Sequence, residues 1–139
     1  MKALRLRVRV AASQGVRVDL RGVVPETMCL LEQDAVASFE VGHGNRQVPL
    51  GSLFDVLIDD HDAAEPTLTL EGDLRCTDRI GWRMTEGALQ VSGDAGDYVG
   101  CGMAGGRLTA SGNVGDFAAS EMSGGQLRIA GNCGDFAAA

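Results

Sequence analysis

The chain has 139 residues, 45% of them hydrophobic and 4% aromatic, with a net charge of −7. That is enough for one domain with its own core, and no apolar run approaches the length of a membrane span. An acidic chain with so few aromatic rings lacks both the phosphate attraction and the stacking platforms that nucleic acid requires, so neither nucleic acid nor membrane is expected as a partner.

The opening residues Met1 to Val10 alternate charged and apolar side chains. There is no continuous apolar stretch of the secretory kind, and a cytoplasmic location is expected. Leu4, Leu6, Val8 and Val10 share one face and Arg5, Arg7 and Arg9 punctuate the other, which predicts a half-buried strand with a basic outer face. Ala11 to Gly15 reads as a turn, and Val16, Val18 and Leu20 as a second strand, the two forming a hairpin. Charge is uneven: residues 1–22 carry six basic side chains against Asp19, a balance of +5, whereas residues 23–71 carry ten acids against Arg46, or −9. The basic start therefore meets either an acidic partner or the acidic segment that follows it.

Pro25 to about Gln33 has the pattern of a short helix with proline in its first turn. Phe39-Glu-Val is a candidate strand, and Gly42-His-Gly-Asn-Arg a loop marked by its glycines. His43 there has no second ligand at metal spacing. Residues 47–58 contain Leu53, Phe54, Val56 and Ile58, an apolar set that could cover the first of the repeats below, since repeat arrays need caps. The acidic run 59–66, with His61 inside it, reads as a solvated linker. The expected organisation is a leader and cap over 1–58, a linker over 59–66 and repeats over 67–139.

The repeats dominate the second half. Gly93, Gly112 and Gly131 are 19 residues apart, as are Met84, Met103 and Met122, and Leu89, Leu108 and Leu127. An upstream copy, Leu68-Thr-Leu-Glu-Gly72, follows with a spacing of 21. A fixed short period signals stacked units, and the alternation in Gln126-Leu-Arg-Ile argues one strand per unit. Units too short for a helical crossover must stack strand on strand, about 4.8 Å apart. The fold class expected is mainly β: a right-handed parallel β-helix with 19-residue coils, preceded by a small α+β N-terminal region. Leucines 89, 108 and 127 would form one internal ladder, and the three methionines another with adaptable side chains. Tyr98, Phe117 and Phe136 make an aromatic column whose side is left open.

Asp97, Asp116 and Asp135 also align, as do Asp94, Asn113 and Asn132. Stacked carboxylates suggest calcium, but the nine-residue sub-period of calcium-binding rolls fails here, since Glu121 stands where a glycine should. Capping of their own turns is the reading preferred for these residues. Cys29, Cys76, Cys101 and Cys133 have no Cys-x-x-Cys spacing, so structural thiols are expected. A nucleophilic Cys101 would need a base, and both histidines precede the repeats. No catalytic, cofactor-binding or metal-ligating residue is assigned.

Gly93-Asp-Ala-Gly-Asp-Tyr-Val-Gly-Cys-Gly-Met-Ala-Gly-Gly, with its weaker copies, resembles the glycine-rich repeats in the C subunits of formylmethanofuran dehydrogenase and of the formyltransferase/hydrolase complex. The C-terminal domain of the glutamate synthase large subunit has related repeats. Leu4 to Leu20, Thr27 to Glu40 and Val48-Pro-Leu-Gly-Ser-Leu-Phe-Asp-Val resemble the leader of those C subunits, which favours the first two families. The resemblance implies a right-handed parallel β-helix and a non-catalytic scaffold subunit in one-carbon metabolism with tetrahydromethanopterin and methanofuran-type carriers. It also implies that metal and carrier are bound on partner subunits and none directly here. Two departures stand out: the chain stops inside a fourth coil, and Ala119-Ser-Glu121 replaces Gly100-Cys-Gly102. Two other readings are an association module like that of glutamate synthase and a β-helix that self-associates through its uncapped C-terminal rung. A third is an enzyme or ligand-binding module using the Asp97/Asp116/Asp135 ladder or Cys101.

Overall fold

The computed structural model describes residues 3–9, 15–59 and 64–135. Over these, the elements run β1 (Ala3–Val8), β2 (Val18–Asp19), α1 (Pro25–Met28), α2 (Gln33–Ser38), β3 (Glu40–His43), β4 (Arg46–Pro49), a 3-10 turn (Leu50–Ser52), β5 (Phe54–Asp59), β6 (Thr67–Glu71), β7 (Thr77–Asp78), β8 (Ala88–Ser92), β9 (Arg107–Ala110) and β10 (Gln126–Ile129). One sheet has the order β10-β9-β8-β6-β1-β5 and the other β4-β3-β2-β7.

The repeat period sets the register of the larger sheet. β6, β8, β9 and β10 pair in parallel with Leu68, Leu89, Leu108 and Leu127 as mutual partners, and with Leu70, Val91, Ala110 and Ile129 in the next inward column. Period-2 alternation puts both columns on one face of the sheet, and Leu68, Leu70, Leu89 and Leu108 are buried there. Burying one such leucine stabilises the fold by about 1.5–3 kcal/mol.

The N-terminal strand joins the same ladder. β1 lies parallel to β6, with Leu4 opposite Leu68 and Leu6 opposite Leu70, and antiparallel to β5 on its other side. In the second sheet, β2 is parallel to β7 and antiparallel to β3, which forms a hairpin with β4. One apolar cluster runs from Leu4 and Phe54 through Leu74 and Met84 to Val114 and Ala118.

This overturns the expected fold class. The ten strands and few short helical turns of the described residues form two mixed sheets, in which strands from the first 60 residues continue the sheet beside the repeat strands, β1 next to β6 and β2 next to β7. A right-handed parallel β-helix set behind a separate α+β leader is not the architecture found. Period alone could not reveal this, because Leu4 and Leu6 match the repeat ladder by alternation without belonging to the repeat.

The expected β1–β2 hairpin fails for a related reason. Alternation marks each strand but not its partner, and the two pair with β5 and β6 and with β3 and β7 respectively. Val10 and residues 11–14 of the expected turn lie outside the described residues, as do residues 60–63 of the expected linker. The expected helix over 25–33 is two pieces broken around Leu30, and Gly42 and His43, read as loop, belong to β3. Leu53 and Phe54 are buried, but β5 covers β1 rather than the first repeat strand.

Basic side chains of the first 22 residues meet acids elsewhere in the chain. Arg5 Nη1 sits 3.1 Å from Glu71, Arg9 is 3.9 Å from Asp55, and Arg17 pairs with Asp78 and, at 3.7 Å, with Asp97.

Candidate functional site

The residues that distinguish the repeat from an ordinary strand-turn unit are its two Gly-Asx dipeptides. Asp78 Oδ1 accepts the Asp97 N–H at 2.9 Å, Asp97 Oδ1 accepts that of Asp116 at 2.9 Å, and Asp116 Oδ1 accepts that of Asp135 at 2.8 Å. A second ladder runs beside it. Asp94 Oδ1 accepts the Asn113 N–H at 2.8 Å and Asn113 Oδ1 accepts that of Asn132 at 2.8 Å. Each side chain thus serves the next unit along the stack, not its own turn. A carboxylate–amide hydrogen bond of this kind is stronger than a neutral one.

The glycine before each Asx makes the ladder possible. A Cβ on Gly112 or Gly115 would overlap Asp94 Oδ1 or Asp97 Oδ1, and on Gly131 it would come within 2.5 Å of Asn113 Oδ1 and of the Gly112 carbonyl. At Gly93 the obstacle is the Gly72 carbonyl oxygen, and φ there is +125°. The motif Gly-Asx-x-Gly-Asp is therefore two copies of one device: room for an incoming oxygen, then the N–H that it accepts.

The other singled-out residues occupy structural places. Met84 and Met103 are buried and Met122 is half-buried. Tyr98 and Phe117 stack on the outside with ring centroids 5.1 Å apart and planes 7° apart. The Arg79 guanidinium lies 5.0 Å from the Tyr98 centroid, on the same column. Both faces of the Tyr98 ring are thereby covered, so the column offers ring edges to solvent. Phe136 lies outside the described residues. Arg79, Tyr98 and Phe117 all have φ near +60°, so the column is also a line of left-handed corners.

Burial pushes the Cys101 thiol up, with Glu121 adding to the effect and Arg79 and Arg83 opposing it. That is the reverse of an activated nucleophile. All four cysteines are free. His43 Nε2 is buried without a hydrogen-bond partner among the described residues, and His61 lies outside them. Among the described residues no cluster of three or more His, Cys, Asp or Glu could hold a metal ion, and no helix is long and apolar enough to cross a membrane. The clefts are shallow. One of about 260 Å³ lies on the outer face of β9 and β10, between Arg107, Thr109, Gln126 and Arg128. Another of about 220 Å³ lies by Asp19, Arg21, Glu40 and Gln47.

No protein-family model matches the chain. Among characterised proteins, it is 34% identical over 96 residues to the C subunit of the formyltransferase/hydrolase complex Fhc of Methylorubrum extorquens, covering 69% of this chain and 33% of that protein. It is 35% identical over 84 residues to the C subunit of tungsten-containing formylmethanofuran dehydrogenase 2 of Methanothermobacter thermautotrophicus, covering 60% and 31%. A chain of the crystal structure of the Methylorubrum extorquens formyltransferase/hydrolase complex FhcABCD, solved with methylofuran, superposes with a TM-score of 0.82 at 32% identity. That match covers 94% of this chain and 47% of the other. The chain is a relative of these C subunits. It spans about a third of the length of the curated relatives that it matches. Because 94% of the chain is covered, the structural likeness extends beyond the repeats to the N-terminal strands that pair beside them.

Nothing in the sequence alone pointed to the role of Arg17, which joins β2 to the head of the aspartate ladder through Asp78 and Asp97 and also donates to the Arg75 carbonyl. The signal that could have found it is an isolated arginine just before a short strand, facing an acidic column.

Proposed function

We propose that the chain is a non-catalytic scaffold subunit of a formyltransferase/hydrolase-type complex in one-carbon metabolism, using tetrahydromethanopterin and methanofuran-type carriers. The observation that carries this reading is the likeness to a chain of FhcABCD over 94% of this chain. Two features of the molecule agree with it. The polar residues that the repeat places periodically are used up in holding one unit to the next, and the clefts are shallow and open, unlike the enclosed, largely apolar pockets that small molecules occupy. Metal and carrier would be bound by partner chains, with this chain positioning them.

The test is affinity purification of the tagged chain from its native extract, with mass spectrometry of what comes with it. Formyltransferase- and amidohydrolase-like chains in fixed ratio are the expected result. A complex that assembles and turns over fully without this chain would overturn the scaffold role.

A further inference from the structure

The chain's only tryptophan and only tyrosine are half-buried at the surface, outside the core. The fold does not ask for a ring at position 82, since the repeat puts Cys101 and Ser120 at the equivalent places. Two guanidiniums lie against the Trp82 ring, Arg83 at 4.5 Å and Arg21 at 5.9 Å, within cation–π range. Asp19 ties this group to the Tyr98 column. It pairs with Arg21 at 2.9 Å and, at 3.5 Å, with Arg79, which covers Tyr98. Among the described residues, the Trp82 indole N–H, the Tyr98 hydroxyl and the Arg83 guanidinium have no hydrogen-bond or ion-pair partner. Glu121 stands two units along from Arg83, at the same place in the repeat, and does not pair with it.

We infer that this face, with Trp82 and Arg83 at its centre, is a docking surface for an acidic segment of a partner protein. Trp, Tyr and Arg are the residue types that carry most binding energy at protein interfaces, each joining a broad apolar surface to a polar tip. Charge decides the kind of partner. Three guanidiniums share one paired carboxylate, Asp19, in a chain whose net charge is −7. The face is therefore locally basic on an acidic molecule and complements carboxylates. The segment would supply a carboxylate to the Arg83 fork, a pairing that is bidentate when planar groups meet, and acceptors to the Trp82 N–H and the Tyr98 hydroxyl. The face starts in the unit between β6 and β8 and follows the side of the stack. Further units beyond β10 would lengthen the column of Tyr98 and Phe117 without covering Trp82. The inference rests on this face alone and stands or falls separately from the formyl-transfer reading.

Trp82, the one tryptophan of the chain, reports on its own face. Titrating the full chain with a synthetic peptide, Glu-Leu-Glu-Asp-Leu-Glu, should shift its fluorescence emission saturably, and added salt should weaken the response. Arg83→Ala should weaken the peptide by about tenfold, with the melting temperature little changed because Arg83 is exposed. Arg128→Ala, at an exposed arginine on β10, should leave the binding as it was. No saturable shift, an equal shift with the peptide Lys-Leu-Lys-Lys-Leu-Lys, or an equal loss in Arg128→Ala overturns the proposal. So does a dimer in light scattering that Arg83→Ala dissociates, or a larger shift with anionic phospholipid vesicles than with the acidic peptide. The occupant would then be a second copy or a membrane.

Discussion

Residues 88–118 and residues 120–135 have the same repeat pattern and differ in what lies beside them. The first stretch sits between β6 on one side and β10 on the other; among the described residues the second has β9 on one side only. Leu108 is 1% exposed while Leu127, its partner in the ladder, is half-buried. In stacked units, a residue's worth is set by the neighbours on both sides, so chemically equal positions contribute unequally. The backbone tells the same story. Gly100 and Gly102 hold left-handed corners in the inner unit, and Ala119 and Glu121 hold the same corners, at φ +60° and +58°, toward the edge. A Cβ at Gly81 would overlap Leu108 Cδ1, and one at Gly100 would meet Leu127 Cδ2 at 3.1 Å. At 119 the structure accommodates alanine, at the conformational cost of a side chain in the left-handed region.

Mutations can break or sharpen this contrast. The largest effect is expected from Leu108→Ala, which should cost about 3 kcal/mol in urea denaturation, against about 1 kcal/mol for Leu127→Ala, because only the former leaves an enclosed cavity. Equal losses would mean that the edge is as well covered as the interior. Thiol labelling should separate the same two regions kinetically. Cys133 is exposed and should react with a disulfide reagent at least about tenfold faster than Cys101, which is buried with its thiol pushed up and must wait for local opening.

Asp116→Ala removes the acceptor of the Asp135 N–H and should destabilise by about 1 kcal/mol, with Asp116→Asn near wild type because an amide oxygen replaces the carboxylate, as it does at Asn113. A loss with the asparagine variant as large as with alanine would show that charge, and not the acceptor, is what matters. The smallest shift, about 1 kcal/mol or less, is a gain: Glu121→Gly should relieve the left-handed corner. Melting would detect it as a rise of a few degrees. A fall would mean that the Glu121 side chain supports the edge by contacts that outweigh its strain.

Much of the strand pattern was legible. Alternation at Leu4 and Leu6, at Leu68 and Leu70, and at Leu89 and Val91 located β1, β6 and β8 and named their inward faces, because period-2 burial is imposed by the pleat itself. The 19-residue spacing located the Leu and Met columns. It could not say that the Asx oxygens reach forward to the next unit, because a local turn bond and a bond between units leave the same periodic trace. Gly42 and His43 read as a loop by composition, yet the pairing with β2 and β4 makes them a strand, while Gly44 and Asn45 form the turn that follows. Here the hydrogen bonds of two neighbours outweighed the local preference.

By itself, then, the sequence determined which residues alternate, which recur, and that glycine and Asx recur together, because these follow from the backbone's period and from the space that a missing Cβ leaves. The tertiary structure alone decided that β1 enters the sheet beside β6, that β2 leaves for a second sheet, and that both sheets are mixed. Strand partnership is a long-range choice. Any strand with two inward leucines satisfies the ladder, and only the folded chain, with Arg5 against Glu71 and Arg17 against Asp78 and Asp97, selects which one takes the place.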